Sequence, residues 1–257
     1  MAEIEEEADR YRAPALDKGL DILELLAGLP DSLSQAEIAK ALDRSPNEIY
    51  RMLDRLVRRG YVRRTAEDRY DLTLKLFELA HRHSPIQRLA GHAMPIMRKF
   101  ALAAEQAVHL VVADRNALVV IAQVDGPGYW NVSIRVGSRV SLVNTGSGHI
   151  FLAFATAEER ALMLTEQAEA LPAELESGLA QVSAQGYEAM PSVQIPGVHN
   201  LSVPVHGRLG TVLAALTCPY SQRLDIADAP DMPATLALLQ QAGREISQRV
   251  ITPGGTT

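Results

Sequence analysis

The chain has 257 residues, 47% of them hydrophobic, a single cysteine and a formal net charge of −6. That length and apolar content allow a substantial core in one large domain or two smaller ones, and two are expected. Cys218 alone excludes an intrachain disulfide framework, and no apolar stretch is long enough to cross a bilayer. Residues 3–7 form an acidic run rather than a basic start followed by an apolar core, so the expectation is a solvated tail on a cytoplasmic protein, not a signal peptide. An acidic total argues against a nucleic-acid partner only when the charge is evenly spread. Here seven Arg stand against Glu48 and Asp54 between Arg44 and Arg64, a local +5 that leaves −11 for the remainder. Such a chain offers phosphates one basic face and repels them elsewhere.

Leu16, Leu20, Leu23 and Ala27 recur at helical spacing, and Gly28 with Pro30 ends this first helix, expected to pack behind two shorter ones. Ser34-Gln35-Ala36-Glu37 and Ser45-Pro46-Asn47-Glu48 are helix starts eleven residues apart, each with Ser followed three positions later by Glu, the capping-box pattern. The second also carries Pro at its first helical position, where a missing N–H costs nothing. A second helix is predicted over 35–42, burying Ile38, Ala39 and Leu42, with Asp43-Arg44 turning into the third. The third sets Ile49, Met52, Leu53, Leu56 and Val57 on one face and Arg51, Arg55, Arg58 and Arg59 on the other, and ends at Gly60. Residues 61–64 and 69–72 alternate as two strands around a polar turn. Helix, turn, basic helix and basic hairpin make a winged helix-turn-helix, a device for entering the major groove of duplex DNA.

The helical pattern returns through Leu74, Leu76, Phe77, Leu79 and Ala80, is interrupted by Ser84-Pro85 and resumes over 86–104. Next, 107–113 and 118–124 are β-rich runs joined at Asp114-Arg115-Asn116, and 130–136 is predicted as a third strand. The Gly-rich stretch 144–148 opens a helix through Phe154, and two more helices are expected before Gly186. Strands follow at 187–190, 200–206 and 211–217, and a helix over 232–250 closes the chain. Strands around a helical middle predict an α+β domain with a mostly antiparallel sheet. The expected boundaries are an acidic tail at 1–14, the winged helix at 15–75, a helical linker at 76–90, the sheet domain at 91–251 and a tail at 252–257.

In this order the pieces resemble the IclR family of bacterial transcriptional regulators over 15 to about 250. Leu16-Asp17-Lys18-Gly19-Leu20-Asp21-Ile22-Leu23 looks like the family's opening helix, and Ile49-Tyr50-Arg51-Met52-Leu53-Asp54-Arg55-Leu56 with Gly60-Tyr61-Val62 like its recognition helix and wing. Thr145-Gly146-Ser147-Gly148 within 137–152 resembles the loop and helix that help form the family's effector pocket, as do Pro196-Gly197-Val198, Pro204-Val205 and Ala214-Ala215-Leu216. His149 stands where Lys is common, and 189–194 hold no carboxylate where acidic residues are frequent. The resemblance implies a winged-helix DNA reader joined to a small-molecule domain of GAF-like α/β topology, assembled as a homodimer or dimer of dimers on an operator.

Asn47, Glu48, Tyr50 and Arg51 lie in the first two turns of the third helix, where a docked helix presents side chains to base edges; Arg pairs with guanine and Asn with adenine. Arg64 and Arg69 on the wing read as phosphate or minor-groove contacts, and Arg58 and Arg59 as partners of the helix dipole or of phosphates. Ser34, Gln35, Arg44, Ser45 and Arg55 complete the expected DNA face. In the second domain a nucleophile reading of Ser147 lacks the Gly-x-Ser-x-Gly elbow and an assignable acid. Either the glycines admit a ligand whose anionic group meets N–H donors at a helix start, or they serve helix capping alone. Val143, Thr145, Gly146, Ser147, Gly148, Ser192, Asn200, Thr217 and Cys218 form the expected effector set, sparsely charged and suited to an aromatic or short carboxylic acid. Cys218, next to Pro219, also reads as a small core residue. His109, His149, His199 and His206 match no standard zinc spacing, so no metal or other cofactor is expected. The expected function is a non-catalytic, ligand-responsive repressor or activator of catabolic genes, with operator double-stranded DNA and a small organic effector as partners and no membrane. The alternatives are an architectural DNA binder without ligand and an enzyme carrying a vestigial winged helix.

Overall fold

The structure is a computed structural model that describes residues 13–82, 84–165 and 175–251. The acidic run at 3–7, His83 and the tail at 252–257 lie outside the described residues. The chain divides between Ser84 and Pro85 into two compact units.

In the first unit, α1 (Pro14–Ala27), α2 (Gln35–Ala41) and α3 (Pro46–Arg58) accompany a small sheet of β1 (Leu33–Ser34), β2 (Val62–Arg64) and β3 (Arg69–Leu72) in the order β1-β3-β2. Both capping boxes form: Ser34 and Ser45 accept from the amides of Glu37 and Glu48, whose carboxylates accept in return from the Ser amides. Asp43, in the left-handed region at φ 50, turns α2 into α3, and Gly60 at φ 75 ends α3. Ile22, Leu26, Ile38, Ile49, Leu53, Val62 and Tyr70 form the core. The face predicted for α1 is thereby corrected in part. Leu23 packs on the core beside Ile22 and Leu26, whereas Leu16, Leu20 and Ala27 are exposed, because β3 and α3 approach the helix from the side of its neighbouring stripe. Sequence patterning also left out β1, whose two residues pair with Tyr70 and Arg69 of the wing. After the wing, α4 (Lys75–Arg82) completes the unit.

The second unit opens with α5 (Ser84–Ala104), so Ser84-Pro85 begins a helix, where Pro is tolerated. Its strands β4 (Val108–Asp114), β5 (Ala117–Val124), β6 (Arg139–Val140), β7 (Glu188–Pro191), β8 (Val198–His206) and β9 (Val212–Ser221) form one antiparallel sheet ordered β6-β5-β4-β9-β8-β7. One face packs on α5 and α9 (Met232–Ile251) through Met97, Phe100, Leu110, Leu216, Leu239 and Ile246. The other packs on α6 (Gly146–Phe154) and α8 (Leu175–Gln185), with α7 (Ala157–Leu164) between them in sequence. The sheet domain therefore starts at α5 rather than at residue 91: Leu89 is already part of its core.

Residues 130–136 do not form the predicted strand. Asn131 accepts the Gly126 amide at 2.7 Å and donates to the Gly128 carbonyl at 3.0 Å, folding the chain away from the β5 edge. The strand that pairs there is β6, after Gly137 at φ 88.

Candidate functional site

The outward face of α3 in the first unit is the candidate nucleic-acid interface. With Ile49 and Leu53 buried, the 100° turn per residue places Asn47, Arg51 and Arg55 on the opposite side, all exposed. Among the described residues Arg44, Arg51, Arg55 and Arg59 have no ion pair or side-chain hydrogen bond, which leaves their guanidinium groups open to phosphates or base edges. Tyr50 is also exposed. Other members of the expected DNA face are held within the fold. Gln35 donates to the Pro46 carbonyl at 2.9 Å, locking α2 to the start of α3. Ser34 and Ser45 are occupied as caps. Glu48 takes Lys18 on one oxygen and the Ser45 amide and hydroxyl on the other, at 3.2 and 2.9 Å. The bonds from Lys18, then those from Ser45, hold its carboxyl down at about 2. Arg69 donates to the Ser32 carbonyl at 2.6 Å and sits 3.0 Å from the Glu37 carboxylate, so it ties the wing to the α2 cap instead of reaching outward. Arg64 pairs with Asp68 across the wing turn at 2.8 Å, and Arg58 with Asp54.

The second unit holds a cavity of about 310 Å³ between the sheet and α6. Thr145, Gly146, Ser147, Ser192, Asn200 and Thr217 of the expected effector set line it. Val143, Gly148 and Cys218 do not. Along β9 successive side chains alternate faces, so Thr217 meets the cavity while Cys218 is buried in the core against α5 and α9. Burial there pushes the Cys218 thiol up, leaving it unreactive. Val143 is buried in the α6–α8 core. Gly148 faces the loop before α6, where an added Cβ would fall on the Leu142 carbonyl.

Two lining residues, Ser147 and Thr217, belong to a ladder of neutral hydroxyls that runs on to Ser202. Thr217 Oγ1 lies 2.8 Å from both Ser147 Oγ and Ser202 Oγ, and all three residues are buried. Thr145 caps α6, accepting the Gly148 amide at 3.1 Å and donating to the Ser141 carbonyl at 2.6 Å. The amides of Gly146 and Ser147, in the first turn, keep no partner among the described residues. The helix is thus capped by Thr145, and Gly146 and Ser147 line the cavity. Arg139 is the one fully charged side chain lining the cavity among the described residues, and its Nη1 is 3.0 Å from Asp114. Val132 and Ile134, from the stretch predicted as a strand, form an apolar wall.

Beside the cavity His149 lies between the Glu188 carboxylate, 2.7 Å from Nδ1, and the Val143 carbonyl, 3.0 Å from Nε2. Burial disfavours its charge, but the bonds to Glu188 and Val143 outweigh that and raise its pKa. Glu188, the residue before the carboxylate-free stretch 189–194, supplies the acid here. His109, Arg139 and Gln194 are lining residues absent from the expected set. For His109 the signal was present, as one polar side chain inside the apolar run Val108-His109-Leu110-Val111. Among the described residues no three His, Cys, Asp or Glu side chains are grouped to hold a metal ion, and no helix is long and apolar enough to cross a membrane.

Comparison with known proteins matches both units. The model of the IclR helix-turn-helix domain covers residues 15–66, and that of the bacterial transcriptional regulator IclR C-terminal domain covers 85–248. The HTH-type transcriptional regulator KdgR of Escherichia coli (strain K12) is 29% identical over 242 residues, spanning 91% of each chain. BhcR, an HTH-type transcriptional regulator of Paracoccus denitrificans (strain Pd 1222), is 27% identical over 91% of this chain and 86% of its own. The crystal structure of the Thermotoga maritima IclR superimposes with a TM-score of 0.71 at 25% identity, covering 91% of this chain and 98% of that one. An IclR homolog from Microbacterium hydrocarbonoxydans, solved as a complex with 4-hydroxybenzoate, shares the fold with a TM-score of 0.75 at 23% identity over 92% of this chain and 98% of its own. Winged helix, curled antiparallel sheet and both family models agree: the chain belongs to the IclR family of bacterial transcriptional regulators.

Proposed function

We propose that this DNA-binding regulator senses a small organic acid in the cavity of its sheet unit and thereby controls catabolic genes. The observation that carries the reading is the cavity itself, lined by the hydroxyls of Ser147 and Thr217, an apolar wall at Val132 and Ile134, Arg139, and helix-start amides that keep no partner among the described residues. An aromatic or short carboxylic acid matches that lining: the acid group meets the amides and Arg139, and the carbon skeleton meets the wall. The 4-hydroxybenzoate held by the Microbacterium hydrocarbonoxydans homolog supports the same class. Asn47, Tyr50, Arg51 and Arg55, with Arg44 behind them, read the operator, while Ser34, Gln35, Ser45, Glu48 and Arg69 keep the reading helix in place. The exposed Leu16 and Leu20 of α1, with Leu74 and Phe77, offer apolar surface for a homodimer or a dimer of dimers. An effector that binds one arrangement of the assembly better than another shifts operator occupancy by that difference in affinity and by no more.

The test is a titration of the purified chain with DNA from upstream of its own and neighbouring genes, with and without aromatic and short carboxylic acids at millimolar concentration. The reading expects one fragment bound at least about a hundredfold tighter than random DNA, with that affinity changed by an acid that also raises Tm. Specific DNA binding with no response to any acid makes the protein an architectural binder. Turnover of an added acid makes it an enzyme.

A further inference from the structure

Three buried polar atoms lack a hydrogen-bond partner among the described residues: His109 Nδ1, Gln123 Oε1 and Arg160 Nε. Gln123 still donates through Nε2 to Asp125, and Arg160 still pairs with Glu176. His109 differs, because its side chain makes no hydrogen bond among the described residues while only 3% of the residue is exposed. It stands on β4 directly opposite Thr217 of β9, on the sheet face that floors the cavity. Burial lowers its pKa to about 4, so near pH 7 the ring is neutral, with one N–H donor and one bare acceptor nitrogen.

The neighbouring polar groups explain why the ring is left open. Ser147, Thr217 and Ser202 engage one another at 2.8 Å, so the hydroxyl ladder largely satisfies itself. The lining also holds donors suited to an anion, the first amides of α6 and Arg139. A carboxylate against His109 meets a ring without charge, whose bare nitrogen offers it no donor. A hydroxyl group fits either tautomer, because it both donates and accepts.

We propose that His109 is the specificity residue of the cavity, hydrogen-bonding a neutral hydroxyl of the effector, and that the effector is therefore a hydroxylated organic acid rather than its deoxy counterpart. The proposal rests on the effector reading above and deepens it. A buried polar group left unpaired by the wrong ligand rejects that ligand, whereas a purely apolar pocket discriminates weakly against an added or missing hydroxyl.

Calorimetric titration of the full chain with two matched pairs, benzoate against 4-hydroxybenzoate and propanoate against lactate, tests it. The wild type is expected to bind the hydroxylated member of at least one pair tighter by about tenfold or more. In His109→Phe that ratio should fall to within about threefold, with the deoxy acid bound as before, and His109→Gln, which keeps a donor and an acceptor, should retain most of it. A second measurement requires no variant: in wild-type protein labelled with 15N at histidine, the His109 ring signals should shift with the hydroxylated acid and stay in place with the deoxy acid. Equal affinity for both members of every pair bound, a preference that survives His109→Phe, or unmoved His109 signals would overturn the assignment while leaving the effector reading intact. No binding of any of the four acids, with full-strength operator binding unaffected by them, would overturn both.

Discussion

Glu48 holds Lys18 of α1 and the Ser45 cap of α3 with one carboxylate, which engages its own side chain within the fold. Arg51, by contrast, is exposed one turn from Asn47 and has no side-chain partner among the described residues. Replacing Arg51 with Ala is expected to weaken specific operator binding by roughly 1 to 3 kcal/mol while changing binding to random DNA little, as a guanine contact requires. Titrating both DNAs against one preparation checks this; equal losses would move Arg51 to the phosphate contacts. His149 makes a different prediction. With acceptors at both ring nitrogens, its charged form is favoured by the fold and its pKa is raised above 6.5. That stabilisation is therefore full below about pH 6.5, the unfolded value, and is lost as pH rises through the raised folded value. Unfolding free energies measured from pH 6 to 9 should decline for the wild type. For Glu188→Gln they should be lower by about 1 to 3 kcal/mol at pH 6 and converge on the wild type at the alkaline end.

Among the elements, α6 shows how a glycine pair divides its work. A Cβ at Gly146 meets Ser202 Oγ at 2.7 Å, at the rim of the hydroxyl ladder, but a Cβ at Gly148 meets the backbone of Leu142, which cannot swing aside. Gly148→Val is therefore expected to cost more than about 3 kcal/mol and to lower Tm sharply, whereas Gly146→Ala keeps the fold and loses acid binding. Thermal melts paired with the calorimetric titration separate the two outcomes. The start of α6 was legible because Thr145 and the glycines are a local signature. The starts of α2 and α3 were legible for the same reason, each Ser bonding within its own first turn. What escaped sequence reading depended on distant partners. Residues 130–136 alternate like a strand, but Val132 and Ile134 use that alternation to wall a cavity, and Asn131 diverts the chain from the sheet. Strand β1 is two residues long and exists because Tyr70 and Arg69 lie beside it. The α1 stripe was misassigned in part because Leu16 and Leu20 match the helical period as well as Ile22 and Leu26 do, and only the approach of α3 and β3 chooses between them. Cys218 and Thr217 are neighbours in sequence, yet alternation along β9 sends them to opposite faces.

At the scale of the whole molecule, each unit carries its own core, and the change from one to the other falls at Ser84 and Pro85. The basic patch belongs to the first unit and the cavity to the second, so on the proposed reading each task has a fold of its own. A fragment of residues 85–251 should fold cooperatively and bind the same acids as the full protein. The boundary can be tested at finer grain, because α5 begins at Ser84 and Leu89 is only 8% exposed, packed with Ala93, Ile96 and Met97 on the sheet. A fragment that starts at residue 91 lacks this leucine and the first turns of the helix. It should unfold at lower urea concentration than 85–251, with a stability deficit of about 1.5 to 3 kcal/mol, the value of fully burying one leucine. Equal midpoints for the two fragments would show that α5 contributes to the sheet core only from residue 91 onward. A fragment 85–251 that melts without cooperativity would show instead that the sheet unit needs the winged helix to fold.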